Sequence, residues 1–177
     1  MMKSKIIIAS LFLSVVLYSC KDTKKEEATI TEKPQTFDVT LNMVVKNDDN
    51  FQLYYTDEST LDFDDKKSFF VPVKGSENPQ DIVFHFPEDV IPSNLRVDLG
   101  NNDKQAPMKF NSFKMSYYDK TFVLKDSLVI VNFVIGDQLK YDKKTGILTP
   151  NQGDAKVYDP LLYPQSNLKE EILKLIK

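Results

Sequence analysis

The chain has 177 residues, 26 acidic and 23 basic side chains, a formal net charge of −3, one cysteine, one histidine and no tryptophan. Arg96 is its only arginine and the lysines are scattered among acids, so no basic stripe offers itself to phosphates and nucleic acid is not an expected partner. One cysteine excludes an intramolecular disulfide, and one histidine without a second thiol cannot build an ordinary zinc site.

The chain opens on the short cationic stretch Met1-Met2-Lys3-Ser4-Lys5. An apolar run over 6–17, interrupted only by Ser10 and Ser14, follows and closes on Leu17-Tyr18-Ser19-Cys20. A cationic start, a short apolar middle and a small residue before the cleavage point describe a secretory signal. As a helix the run would reach about 18 Å, whereas a bilayer core is roughly 30 Å thick. The spacing therefore predicts a removed signal over 1–19 rather than a permanent span. The closing tetrapeptide resembles the lipobox of bacterial lipoproteins, with Leu17 three residues before the cysteine and Ser19 directly before it. That resemblance implies a diacylglyceryl group on the Cys20 thiol and a fatty acyl group, such as palmitate, on its amine. It implies a protein held by lipid in the cell envelope, at the outer membrane, with the face open. Several acyl chains on one residue make a durable anchor where a single chain holds only marginally.

After Cys20 the sequence KDTKKEEATITEKPQ contains no aromatic residue and one isoleucine. Such a segment cannot bury enough apolar surface to offset its ordering entropy, so 20–35 is expected to be a disordered tether. Asp22, Glu26 and Glu27 also resemble the acidic surface-export signals of Bacteroidota lipoproteins. Removal of Lys3 and Lys5 with the signal takes the net side-chain charge from −3 to −5.

Residues 36–177 have the length of one domain. Their dominant pattern is alternation with period two: Phe37, Val39, Leu41, Met43 and Val45; Phe51, Leu53 and Tyr55; Phe69, Val71 and Val73; Ile82, Phe84 and Phe86; Leu95, Val97 and Leu99. It continues through Phe113, Met115 and Tyr117, and again over 128–135. Met108 and Phe110 have the opposite parity to Phe113, which predicts a bulge or bend near Asn111-Ser112. The separators carry turn residues, as at Lys74-Gly75-Ser76, Gly100-Asn101-Asn102-Asp103 and Tyr118-Asp119-Lys120. Short strands at this spacing predict an all-β fold, an antiparallel β-sandwich. Only the last ten residues read as a helix: Asn167-x-x-Glu170 has the form of a capping box, and Leu168, Ile172, Leu173, Leu175 and Ile176 bunch on one face.

The order of several segments resembles a β-sandwich module of bacterial lipoproteins that is also appended to some membrane glycosyltransferases. They are Phe51-Gln52-Leu53-Tyr54-Tyr55, an acidic loop with Phe63, the strand from Ser68 through Val71-Pro72-Val73, Val83-Phe84-His85-Phe86-Pro87, Leu95-Arg96-Val97-Asp98-Leu99-Gly100, and Asp159-Pro160. The resemblance spans about 51–120 best. It implies a jelly-roll-like sandwich of the kind found in carbohydrate-binding domains, and sugar binding by analogy of fold.

The residues fit binding better than catalysis. His85 lies between two phenylalanines on a strand, facing solvent or a tethering carboxylate, and no nucleophile elbow is present. No enzymatic activity is expected. Tyr54, Phe70, Tyr118 and Tyr141 have the parity of side chains turned off the core face. Arg96 and Asp98 share one face of their strand, where they grip hydroxyls or form an intrasheet salt bridge. The ligand-binding candidates are thus Tyr54, Phe70, Arg96, Asp98 and Tyr118. Asp57, Asp62, Asp64 and Asp65 crowd one loop beside Glu58, which fits either a Ca²⁺ site of hard oxygen ligands or a solvated loop guarding a sheet edge. Two functions follow. One is a non-catalytic carbohydrate-binding lipoprotein; the other is a structural or interaction lipoprotein whose partner is another envelope protein.

Overall fold

The computed structural model describes residues 36–177. The signal expected over 1–19, Cys20 and the tether expected up to residue 35 lie outside the described residues.

The strands come in five consecutive pairs, with the two members of each pair in different sheets. They are β1 (Phe37–Val44) with β2 (Asp49–Thr56), β3 (Ser68–Val73) with β4 (Gln80–His85), and β5 (Asn94–Asp98) with β6 (Met108–Tyr117). After β7 (Lys120–Lys125) follow β8 (Phe133–Ile135) with β9 (Leu139–Asp142), and β10 (Ile147–Pro150) with β11 (Leu161–Pro164). One sheet has the order β4-β1-β6-β10-β9, with β7 beside the remaining length of β6; the other has the order β3-β2-β5-β11-β8. All pairings are antiparallel. The two orders become identical when each strand is replaced by its mate. The sandwich is therefore one sheet of five ribbons folded over along a seam that cuts every ribbon once. The antiparallel-sandwich expectation holds: most connections cross between the sheets, while β2–β3, β6–β7 and β9–β10 lie side by side within one.

Alternation drives both inner faces into one core. Phe37, Val39, Leu41 and Met43 of β1 are buried with Leu53, Phe84, Leu95, Val97, Phe113 and Met115. Ring pairs cross between sheets: Phe69 of β3 meets Phe84 of β4 at 6.0 Å, and Phe113 of β6 meets Phe133 of β8 at 5.0 Å. The fully buried rings Phe84, Phe113 and Phe133 each contribute about 1.5–3 kcal/mol by leaving water.

At the seam the ribbons lose their ladder, and polar side chains take over the freed backbone groups. The Asp49 carboxylate accepts from the backbone N–H of Asn101 (2.9 Å) and Asn102 (3.2 Å) and from Gln105 Nε2 (2.9 Å). Asp48 accepts from Gly75 N–H (2.8 Å) and Lys74 Nζ (2.6 Å), and these contacts, the Gly75 one first, hold its carboxyl below the usual carboxylate range. Gly75 has no alternative there, because a Cβ would stand 2.4 Å from the Lys46 carbonyl oxygen. The opposite end is closed by Phe86, whose ring contacts Phe37, Tyr55 and Phe69 at 5.4, 5.2 and 5.0 Å. Beside it α2 (Ser166–Leu175) buries Leu168, Ile172 and Leu175 and packs on β5, β6 and β7.

The bulge falls where the parity change predicts it. Asn42 pairs with Ser112 and Met43 with Phe110, so Asn111 is the extra residue. This insertion lets Phe110 and Phe113 both face the core. Its amide Nδ2 donates to Asn42 Oδ1 at 2.9 Å.

Two expectations are corrected. The apolar stretch 128–135 is a strand only over Phe133–Ile135; before it come a 3-10 turn (Asp126–Leu128) and the one-turn helix α1 (Val129–Asn132). Asp126 ends β7 with a positive φ of 50°, and the chain crosses here from one sheet to the other. The capping box also does not form. The helix is capped at Gln165, without a side-chain cap bond. Gln165 Nε2 instead donates to the carbonyls of Ile130 (2.8 Å) and Phe133 (3.1 Å), and Asn167 Nδ2 donates to that of Val131 (3.2 Å). Because the helix already begins at Ser166, Asn167 lies within its first turn and cannot act as the cap.

Candidate functional site

The outer face of the β3-β2-β5 sheet gathers most of the residues that parity singles out. Register places Tyr54 opposite Arg96, and Gln52 opposite both Asp98 and Phe70. All five side chains lie on the face away from the core. Arg96 Nε and Nη2 donate to Asp98 Oδ1 (2.9 Å) and Oδ2 (2.7 Å), a two-pronged ion pair within a single strand. Of the two roles open to these residues, the salt bridge is the one present. The guanidinium also lies 3.9 Å above the Tyr54 ring and 5.6 Å from Phe63, a cation–π arrangement. Phe63 comes from the loop 57–67 and packs edge-on against Tyr54 (6.5 Å) and Tyr163 of β11 (5.7 Å).

Electrostatics follow from this packing. Burial pushes the Asp98 carboxyl above its ordinary range, outweighing the opposing pull of Arg96. Burial works against the Arg96 charge, but Asp98 more than offsets it and the guanidinium pKa rises. The Tyr54 hydroxyl donates to Asp65 Oδ1 at 2.8 Å; burial and then that carboxylate push its phenol up to about 12.

Next to the ion pair is a cleft of about 160 Å³. Phe70 and Tyr158 supply its aromatic surface, and Phe70 is 55% exposed. Asn50, Gln52 and Asn101 bring amides, and Asp98 and Asp159 bring carboxylates. Gly100 forms part of the wall with φ +94°, and a Cβ on it would collide with the Asp49 carboxylate at 2.1 Å. Tyr158 is buried and its hydroxyl has no hydrogen-bond partner among the described residues. The arrangement presents an exposed ring face beside donors and acceptors of several geometries. Among the described residues its lining contains no histidine, cysteine, serine or threonine.

The remaining candidates lie elsewhere. Tyr118 is 58% exposed at the tip of the β6–β7 hairpin, with φ 55°, and stacks edge-on against Tyr117 at 4.5 Å. It borders a separate groove with Lys120, Ile176 and Lys177, and is not brought to the cleft. The Tyr141 hydroxyl donates to the Asp126 carbonyl at 2.8 Å. His85 Nδ1 lies 3.0 Å from Asp38 Oδ1, the tethering carboxylate that its strand position allows.

The acidic loop does not converge on a point. Asp57 is paired with Lys67, Asp64 accepts from Lys66 N–H at the start of a 3-10 turn (2.9 Å), and Asp65 accepts from Tyr54. Asp62 has its backbone N–H bonded to Thr60 Oγ1 (2.8 Å). Among the described residues no group of three or more His, Cys, Asp or Glu side chains is placed to hold a metal ion.

Sequence reasoning passed over Gln52, Tyr158 and Asp159 as site residues. Gln52 shares its strand and parity with Tyr54 and was available from that signal alone. Tyr158 and Asp159 reach the cleft from the crossing between β10 and β11, with no alternation to mark them. Comparison with family models, curated proteins and solved structures finds no match for this chain.

Proposed function

We propose that this chain is an envelope lipoprotein, anchored through Cys20, whose sandwich domain binds carbohydrate without catalysis. The observation that carries the reading is the cleft on the outer sheet face, where the half-exposed Phe70 ring stands beside Gln52, Asn50, Asn101 and two carboxylates. An aromatic face takes the C–H side of a pyranose, and amides and carboxylates beside it take its hydroxyls. The anchor keeps its support in the Leu17-Tyr18-Ser19-Cys20 motif.

A glycan array probed with residues 36–177 tests the binding. Retention of a glycan class, lost on Phe70→Ala while the thermal midpoint is kept, is the expected result. Absence of any glycan signal counts against it. For the anchor, Cys20→Ser is expected to leave the membrane fraction; a variant still in that fraction removes the lipid from the account.

The second reading is a docking lipoprotein for another envelope protein. The C-terminal helix favours it less, since Leu168, Ile172 and Leu175 of its apolar face are buried on the domain and only Leu173 of the helix's leucines stays exposed. Exposed Leu128, Val131 and Val134, the last on edge strand β8, favour it instead. A pull-down that retains one envelope protein and fails with Val134→Lys would replace the first reading.

A further inference from the structure

The cleft is one-sided in charge. Asp98 and Asp159 line it and, among the described residues, no lysine or arginine does. The Asp98 charge is matched by Arg96. Asp159 is exposed and forms no ion pair among the described residues. It also acts on its neighbour, being one of the charges that raise the Asp98 pKa. Two more acids stand behind the wall. Asp49 lies directly beneath Gly100, and Asp49 and Asp103, after burial, help to hold the Tyr158 phenol up to about 12.

Opposite these charges stands Phe70, paired in register with Gln52 and open to solvent over half its surface. The negative face of an aromatic ring attracts a cation, and an unpaired carboxylate attracts it further. The same field repels a carboxylate, sulfate or phosphate carried by a ligand. Hydroxyl groups are indifferent to its sign.

We infer that the cleft selects sugars by charge, taking an amine-bearing saccharide in preference to a neutral one and disfavouring uronates and sulfated or phosphorylated sugars. The inference rests on the carbohydrate-binding reading and adds the charge of the ligand. Asp159 is the residue that distinguishes the amine. As one exposed charge it confers a preference of about three-fold at low ionic strength, and the preference fades as salt screens it.

The test uses the full chain in mild detergent on an array carrying neutral, amine-bearing and acidic glycans. Calorimetry then compares a β-linked glucosamine oligomer, its N-acetylated counterpart and an oligogalacturonate. The expected order of affinity is glucosamine, then N-acetylglucosamine, then galacturonate. Asp159→Asn is expected to erase the difference in affinity between the first two. Binding of acidic glycans as tight as that of neutral ones overturns the charge selection and leaves sugar binding standing. An amine preference that survives Asp159→Asn overturns the assignment to that residue. Silence across the whole array overturns carbohydrate binding itself.

Discussion

Replacing Arg96 with methionine probes the ion pair at the edge of the cleft. Methionine keeps an apolar stem against Tyr54 but removes the charge and both donors. Asp98 would be left with its side chain 9% exposed and its two bonds from Arg96 gone. Breaking a buried pair from one side costs about 3–5 kcal/mol, and the cation–π contact adds about 1 kcal/mol. Water reaches Arg96, whose side chain is 18% exposed, so the total should fall at the lower end. We expect a loss of about 3 kcal/mol, or about 10 °C in Tm for a domain of this length. The loss should also depend on pH. Burial already holds the Asp98 pKa above its unfolded value, and removal of Arg96 raises it further. The ion pair's share of the destabilisation is therefore absent while Asp98 is protonated in both proteins and grows as pH rises from the parent's folded pKa towards the variant's higher one, on top of a cation–π share that does not depend on pH. Urea unfolding at about pH 7 and about pH 4 would compare the parent, Arg96→Met and Arg96→Met/Asp98→Asn. The second substitution should restore most of the stability at the higher pH, because a neutral amide needs no countercharge. A loss under about 1 kcal/mol, the value of an exposed ion pair, or one equal at both pH values would refute the argument.

Deleting Asn111 removes the bulge and shifts Met108 and Phe110 by one place, so their side chains turn to the wrong face; circular dichroism should show no cooperative fold. Asn111→Ala keeps the residue count and should lose only about 1 kcal/mol for the bond to Asn42. Asp48→Asn should lower the thermal midpoint near neutral pH and make no difference at strongly acid pH. The folded pKa of Asp48 lies below its unfolded value, so its stabilisation is present above the latter and lost as pH falls through the former. Tyr158→Phe deletes a buried hydroxyl that has no partner, and should be neutral or stabilising by about 1 kcal/mol in chemical denaturation.

Alternation made the central ribbons legible, because β1, β2, β4 and β5 each bury every second side chain against a single core. The parity change at Asn111 was legible for the same reason: two rings of opposite phase on one strand need an extra residue between them. The short strands β9, β10 and β11 have only four residues each, too few for a period to stand out. The helical turn at Val129–Asn132 was missed because the apolar run Leu128-Val129-Ile130-Val131 leading into it carries no period at all. Half of the candidate site could be read from parity, since Tyr54, Phe70, Arg96 and Asp98 lie on adjacent strands. The other half could not. Phe63, Tyr158 and Asp159 arrive on loops, and only the folding of the sheet on itself brings them over that face. The acidic loop shows the converse: four carboxylates are close in sequence, yet Asp57, Asp64 and Asp65 each bond a different partner.

The place of β1 has a mechanical consequence. It is the first strand of the described residues, yet it sits inside its sheet, laddered to β4 along one edge and to β6 along the other. A load drawn along its axis from the chain ahead of Phe37 would strain both ladders at once, in shear. No bond at the end of the strand could give way before the rest, as happens when an edge strand is unzipped. A domain pulled from that side would hold its shape until both ladders shear together.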